Sequence, residues 1–185
     1  MAQAEIRIAG FGGQGVILAG MILGRAAAIH DGKHATMIQA FGPEARGSAC
    51  SAQLIISDEP VRYPYVQRAR YLAALNQDAY HRFEPQLAGD GVLIYEEDLV
   101  ALRPDQRPGI QAHGIPATRI AEEIGRKIVL NIVFVGFFAA VTGLVSLDAV
   151  RRAVAESVPP GTEQLNLAAL ERGIEHGMRL TAGAA

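Results

Sequence analysis

Ile6-Arg7-Ile8-Ala9-Gly10-Phe11-Gly12-Gly13-Gln14-Gly15-Val16 opens the chain with an apolar run, a glycine cluster and the first residue of an Ala/Leu/Ile-rich segment. Ile6 to Ala9 reads as a short first strand, and Val16 to His30 as a helix. Glycines between a strand and a helix let the backbone turn tightly and approach another group closely. The helix N-terminus behind them offers free N–H donors and a partial positive charge to an anion. His34 to Gln39 reads as a second strand, so the chain begins as a βαβ unit.

The same alternation continues outward. Ala49 to Ser57 and Tyr71 to Leu75 read as strands and Gln77 to Leu87 as a helix, after which Gly89-Asp90-Gly91 turns the chain into a strand at Val92 to Tyr95. Arg103 to Gly114 holds two prolines and two glycines and reads as a loop that can lead into a short strand before Pro116. Thr118 is placed to cap the next helix, with Glu122 and Glu123 in its first turns. An apolar helix around Ile128 to Val145 and a C-terminal helix from about Leu165 follow. Strands alternating with helices predict one α/β domain over residues 1–185, with a mostly parallel sheet flanked by helices and a Rossmann-like βαβ start.

Composition excludes several classes of function. With 50% hydrophobic and 19% charged residues among 185, the chain can bury a full core and still has apolar surface to place, which hints at a partner. A formal net charge of −2 argues against binding nucleic acid through its phosphates. Cys50 is the single cysteine, so the chain alone can form neither a disulfide nor a Cys-ligated zinc or iron–sulfur site. The glycines near Gly10 interrupt any apolar signal segment, which gives a cytoplasmic expectation. Ile128 to Val145 is short for a membrane span, which needs about 20 residues. A buried or partner-covered helix explains it better.

The glycine cluster alone leaves three readings open: a dinucleotide site, a contact to another anion such as CoA, or a structural turn packed against a partner. A dinucleotide fingerprint also needs an acid at the end of the second strand. That position falls near Gln39 or Ala40, while Asp31 precedes the strand. A second loop, Gln39-Ala40-Phe41-Gly42-Pro43-Glu44-Ala45-Arg46-Gly47-Ser48, joins a Gly-Pro turn to both charge signs. It can meet a ligand closely, or form only a local ion pair.

Together, GFGGQGV, then FGPEARGS about thirty residues on, then Ala74-Leu75-Asn76-Gln77 with Tyr80, resemble the gamma subunits of 2-oxoacid:ferredoxin oxidoreductases. Gly91 to Tyr95, Asn131, Thr142 to Ser146, and Asn166 with Ala169 extend the resemblance over roughly Glu5 to Gly177. Ser48 departs from it, standing where a second glycine is frequent. The resemblance implies one subunit of a complex that oxidises a 2-oxoacid to an acyl-CoA, inactive alone. It implies that thiamine diphosphate, Mg²⁺ and iron–sulfur clusters reside in alpha, beta and ferredoxin-like partner subunits, with a flavin or NAD electron-transfer subunit as a possible further member. It places Gly12, Gly13, Gln14, Gly15, Glu44, Arg46 and Gly47 on the substrate and CoA side of the shared site.

Other residues invite functional readings that their surroundings do not support. Gly89-Asp90-Gly91 matches the opening of a thiamine–magnesium motif, but the next asparagine, Asn131, is too distant, and a turn is the natural reading. The five histidines read as ordinary surface or turn residues. Cys50 reads as a buried free thiol. Asn131, an amide within an apolar helix, must cap backbone groups or reach a neighbouring subunit.

Overall fold

The computed structural model describes residues 3–41, 49–105 and 107–183. These residues form six strands and six α-helices, the strands in one sheet: β1 Ala4–Phe11, β2 His34–Phe41, β3 Ala49–Ser57, β4 Tyr71–Ala74, β5 Val92–Glu96 and β6 Gln111–Ile115. Their spatial order is β2-β3-β1-β4-β5-β6. β1, β4, β5 and β6 pair in parallel, as the alternation of strands and helices predicts. The opening unit differs in one respect. β3 inserts between β1 and β2 and runs antiparallel to both, so the crossover from β1 reaches a strand one place further out.

Six α-helices cover the sheet: α1 Val16–Arg25, α2 Gln77–Phe83, α3 Ala117–Glu123, α4 Leu130–Thr142, α5 Leu147–Ser157 and α6 Glu163–Ala182. Strand alternation divides the core. Ile6, Ile8, Leu54 and Ile56 face α1 and α3 to α6, whereas Ala9, Ile55, Leu72 and Leu93 face α2 and its flanking loops. α1 continues to His30 as a wider turn, in which Asp31 N–H bonds the Ala26 carbonyl at 3.0 Å. α2 ends at Phe83, where Pro85 tightens the chain into a 3₁₀ turn.

α4 is the apolar segment, and it is buried by protein. Phe134, Phe137 and Phe138 are wholly enclosed, each stabilising the fold by roughly 1.5–3 kcal/mol relative to exposure. α6 crosses it backbone to backbone: a Cβ on Gly173 would overlap the Val133 carbonyl oxygen, and one on Gly136 would overlap that of Leu170. Among the described residues no helix is long and apolar enough to cross a membrane.

Two local expectations are corrected. α5 occupies a stretch with no predicted element; Ser146 caps it, its Oγ accepting from Ala149 N–H at 3.2 Å. Thr118 lies inside the first turn of α3 and does not cap it. The Glu96 carboxylate takes that role from the end of β5, accepting from Thr118 N–H at 2.9 Å.

Candidate functional site

β1 ends in the glycine cluster at the carboxyl edge of the sheet, the edge at which α/β sheets bind their ligands. Gly13 and Gly15 adopt φ of 99° and 72°, a region that side chains disfavour. Gln14 sits between them with its side chain turned inward. Its Oε1 accepts from Phe11 N–H at 2.7 Å and from Asn76 Nδ2 at 3.0 Å, and its Nε2 donates to the Leu75 carbonyl at 3.0 Å. Thus Gln14 ties the loop to the end of β4, while Gly12, Gly13 and Gly15 border the open groove beyond.

That groove has a volume of about 740 Å³ and runs between the loop, the start of α1, and the starts of α4 and α6. α1 has no side-chain cap, and its first intrahelical bond is Ala19 N–H to the Gly15 carbonyl at 2.9 Å. The N–H groups of Val16, Ile17 and Leu18 are therefore orphan donors at the groove's end. Two buried amides line it as well. Asn131 Nδ2 donates to the Gly15 carbonyl at 3.4 Å, and Asn166 Nδ2 donates to the Thr162 carbonyl at 2.9 Å. Neither amide oxygen has a partner among the described residues, so both remain acceptors on a mostly apolar wall that also carries Arg126 and Ile128. Asn131 thus resolves the question its sequence context raises: it holds the glycine loop and borders the groove at once.

Glu44, Arg46 and Gly47 lie outside the described residues. The strands that flank them, β2 and β3, bring Phe41 beside Cys50 and Cys50 beside Gly10. Cys50 is buried, and burial pushes its thiol pKa up, which suits an inert wall residue. Asp31 is spent elsewhere, with its carboxylate accepting from the backbone N–H and hydroxyl of Ser146 at 2.7 and 2.6 Å. Asp31, which already stands before β2 and not at its end, is thus engaged at the start of α5. Asp90 precedes β5, at the opposite edge of the sheet, and pairs with Arg70 at 2.7 Å. The described residues contain no cluster of groups suited to a metal ion.

Residues 5–176 match the family described as Pyruvate ferredoxin/flavodoxin oxidoreductase. The chain belongs to that family. It is 46% identical over 172 residues to the 2-oxoglutarate synthase subunit KorC of Methanocaldococcus jannaschii, covering 92% of each chain. Among solved structures it superposes on the gamma subunit of a keto/oxoacid ferredoxin oxidoreductase from Geobacter sulfurreducens with a TM-score of 0.83. That chain is 39% identical, and the match covers 95% of this chain and 99% of that one. The fold also recurs, with a TM-score of 0.86 and 22% identity, in a 2-oxoglutarate:ferredoxin oxidoreductase from Magnetococcus marinus; the match covers 97% of this chain and 32% of that one. The resemblance to gamma subunits is therefore upheld, and the relatives are subunits of oxidoreductase complexes.

Proposed function

We propose that this gamma-type subunit forms one wall of the site at which a thiamine-dependent 2-oxoacid oxidoreductase passes its acyl group to CoA. The groove beside Gly13, Gly15, Asn131 and Asn166 is the surface that does so. One observation carries the reading. The orphan N–H groups of α1 and the amide oxygens of Asn131 and Asn166, unpartnered among the described residues, border one largely apolar groove. A ligand with an anionic group, an apolar arm and amide N–H donors satisfies all three features, and CoA has each. The Magnetococcus marinus structure of this fold is described with 2-oxoglutarate, coenzyme A and succinyl-CoA bound, which supports the same reading.

The reaction of such a complex releases CO₂ from the 2-oxoacid, forms the thioester C–S bond and delivers two electrons to an acceptor. This chain has no thiolate set for clusters, because Cys50 stands alone. Asp90 pairs with Arg70 at the other edge of the sheet; thiamine diphosphate with its Mg²⁺ is proposed to reside with alpha and beta partners, and the clusters with a ferredoxin-like one, as the resemblance implies. Glu44, Arg46 and Gly47 are proposed to contact the substrate side of the assembled site.

The test is reconstitution. The isolated chain should not oxidise any of a panel of 2-oxoacids, and the complex should do so only with CoA. Within the complex, Asn166→Ala should raise KM for CoA while leaving KM for the 2-oxoacid unchanged. Turnover by the isolated chain, or an unchanged KM for CoA, would overturn the reading.

A further inference from the structure

The carboxyl edge of the sheet has a second concavity, on the face opposite the glycine-loop groove. β1 and β4 are parallel neighbours, yet the helices that follow them, α1 and α2, pack on opposite faces. Open α/β sheets bind ligands at such reversals of winding, in the crevice beyond the strand ends. Here the crevice is a cleft of about 430 Å³, bounded by Gly10, Cys50, Asn76, Asp78, His81 and Arg82.

Its charges are arranged at a cost. Arg82 from α2 lines the cleft, and Arg7 from β1, outside the lining, stacks with Arg82 on the same Phe83 ring, the two guanidiniums 5.3 Å (Arg82) and 4.6 Å (Arg7) from its centroid. Neither guanidinium reaches a carboxylate among the described residues. The ring compensates in part, but the two like charges lie within roughly one Debye length of each other. Burial first, and the Arg82 charge second, pull the Arg7 guanidinium below its ordinary pKa range. An unpaired, half-buried arginine beside a second one is relieved by an anion.

His81 adds a directed donor. The Gln77 amide is fixed by two bonds to Ala101: its Oε1 accepts from Ala101 N–H at 2.7 Å, and its Nε2 donates to the Ala101 carbonyl at 3.2 Å. Gln77 Nε2 must therefore donate to His81 Nε2, 2.8 Å away. The neutral ring then carries its proton on Nδ1, which has no acceptor among the described residues. Asp78 is the one carboxylate among the described residues that line the cleft, and it is placed to accept from a ligand hydroxyl.

We propose that this cleft binds a small hydroxylated oxyanion, a phosphate ester or a carboxylate. Arg82 grips it in bidentate fashion, Arg7 reinforces the charge, and His81 Nδ1–H and Asp78 read its polar groups. The site is distinct from the glycine-loop groove and does not depend on the reading of it.

The full chain should be titrated at constant ionic strength with inorganic phosphate in one arm and succinate in the other, following backbone amide shifts by NMR. Saturable shifts centred on residues 76–83 are expected, and the arm that saturates at lower concentration identifies the oxyanion. Arg82→Gln, at an exposed position, should weaken binding about tenfold or more. Arg152→Gln, an exposed arginine on α5, should leave it unchanged. Absence of saturation in both arms, unaltered affinity in Arg82→Gln, or saturable shifts centred on residues 15–18 in place of 76–83 would each overturn the proposal, the last by moving the anion to the N-terminus of α1.

Discussion

Gln14 Nε2 donates to the Leu75 carbonyl oxygen at 3.0 Å, joining the glycine loop after β1 to the end of β4 through a side chain from the loop itself. Its Oε1 meanwhile satisfies Phe11 N–H and Asn76 Nδ2. Asn76 in turn caps α2, with Oδ1 accepting from Ala79 N–H at 2.8 Å. One amide therefore couples the starts of the helices on both faces of the sheet.

Removing that amide should loosen both loops together. Gln14→Ala leaves Phe11 N–H and the Leu75 carbonyl without their partners, each costing about 1–3 kcal/mol where water cannot replace the amide. A urea midpoint lowered accordingly, with faster hydrogen exchange at both Phe11 and Ala79, is the expected result. Faster exchange at Phe11 alone would show that the two loops are not coupled.

Gly15 and Asn131 should be energetically coupled. Gly15 has φ of 72°, and a Cβ there would overlap the Asn131 amide. Gly15→Ala therefore bears a left-handed backbone cost of about 1–2 kcal/mol and a steric one in addition. Asn131→Ala removes the overlap with the amide nitrogen and carbon and leaves that with the residue's own Cβ, at 2.8 Å. The double variant should be more stable than the sum of the single losses predicts, as measured by chemical denaturation. Strict additivity would mean that the overlap relaxes without cost.

Much of this architecture is legible in the sequence, and the exceptions have physical causes. Ile6 to Ala9, Val92 to Tyr95 and the glycine cluster announce themselves because local periodicity and turn chemistry decide them. The insertion of β3 between β1 and β2 is a non-local pairing. One signal for it exists, since the connection from Phe41 to Ala49 is too short for a parallel crossover and suits an antiparallel return. α5 goes unread although its signals are local: Ser146 and Asp148 mark its start, and Ala149, Val150, Ala153 and Val154 recur at helical spacing to make one apolar face among charged neighbours. In the site, Gly12, Gly13 and Gly15 border the groove as their motif suggests. That Gln14 turns inward depends on Leu75 and Asn76, far along the chain, and no local pattern records it. Asn166, seven residues after an exposed Pro159, becomes part of the groove only when α6 docks on α4.

Glycine-mediated contact between α4 and α6 should tolerate no added methyl. In Gly173→Ala the new Cβ meets the Val133 carbonyl oxygen and Phe137 N, all of it backbone that cannot rotate away. Overpacking of this kind costs about 1–3 kcal/mol, and occasionally more. Gly89→Ala, where an added Cβ meets nothing within 4 Å, is the control. Equal denaturation midpoints for the two variants would mean that the helices separate freely.

Glu96 should make stability depend on pH in the sense opposite to a salt-bridged acid. It is fully buried, with Oε1 accepting from Thr118 N–H, while its Oε2 and the Thr118 hydroxyl oxygen have no partner among the described residues. Burial, opposed by the Thr118 N–H bond and aided by the Asp98 charge, raises its pKa above the ordinary glutamate range. A protonated Oε2 can donate to the Thr118 hydroxyl, so the neutral acid suits this pocket better than the carboxylate. The folded chain thus binds this proton more tightly than the unfolded chain does. The associated stability is complete below the ordinary glutamate range and is lost as pH rises through the folded value. Glu96→Gln keeps the acceptor for Thr118 N–H and supplies a permanent donor in place of the proton. Its Tm, measured by calorimetry from pH 4 to 8, should decline less toward neutral pH than that of the unmodified chain. Parallel curves would mean that Glu96 titrates alike in the folded and unfolded chains, with water in contact with Oε2.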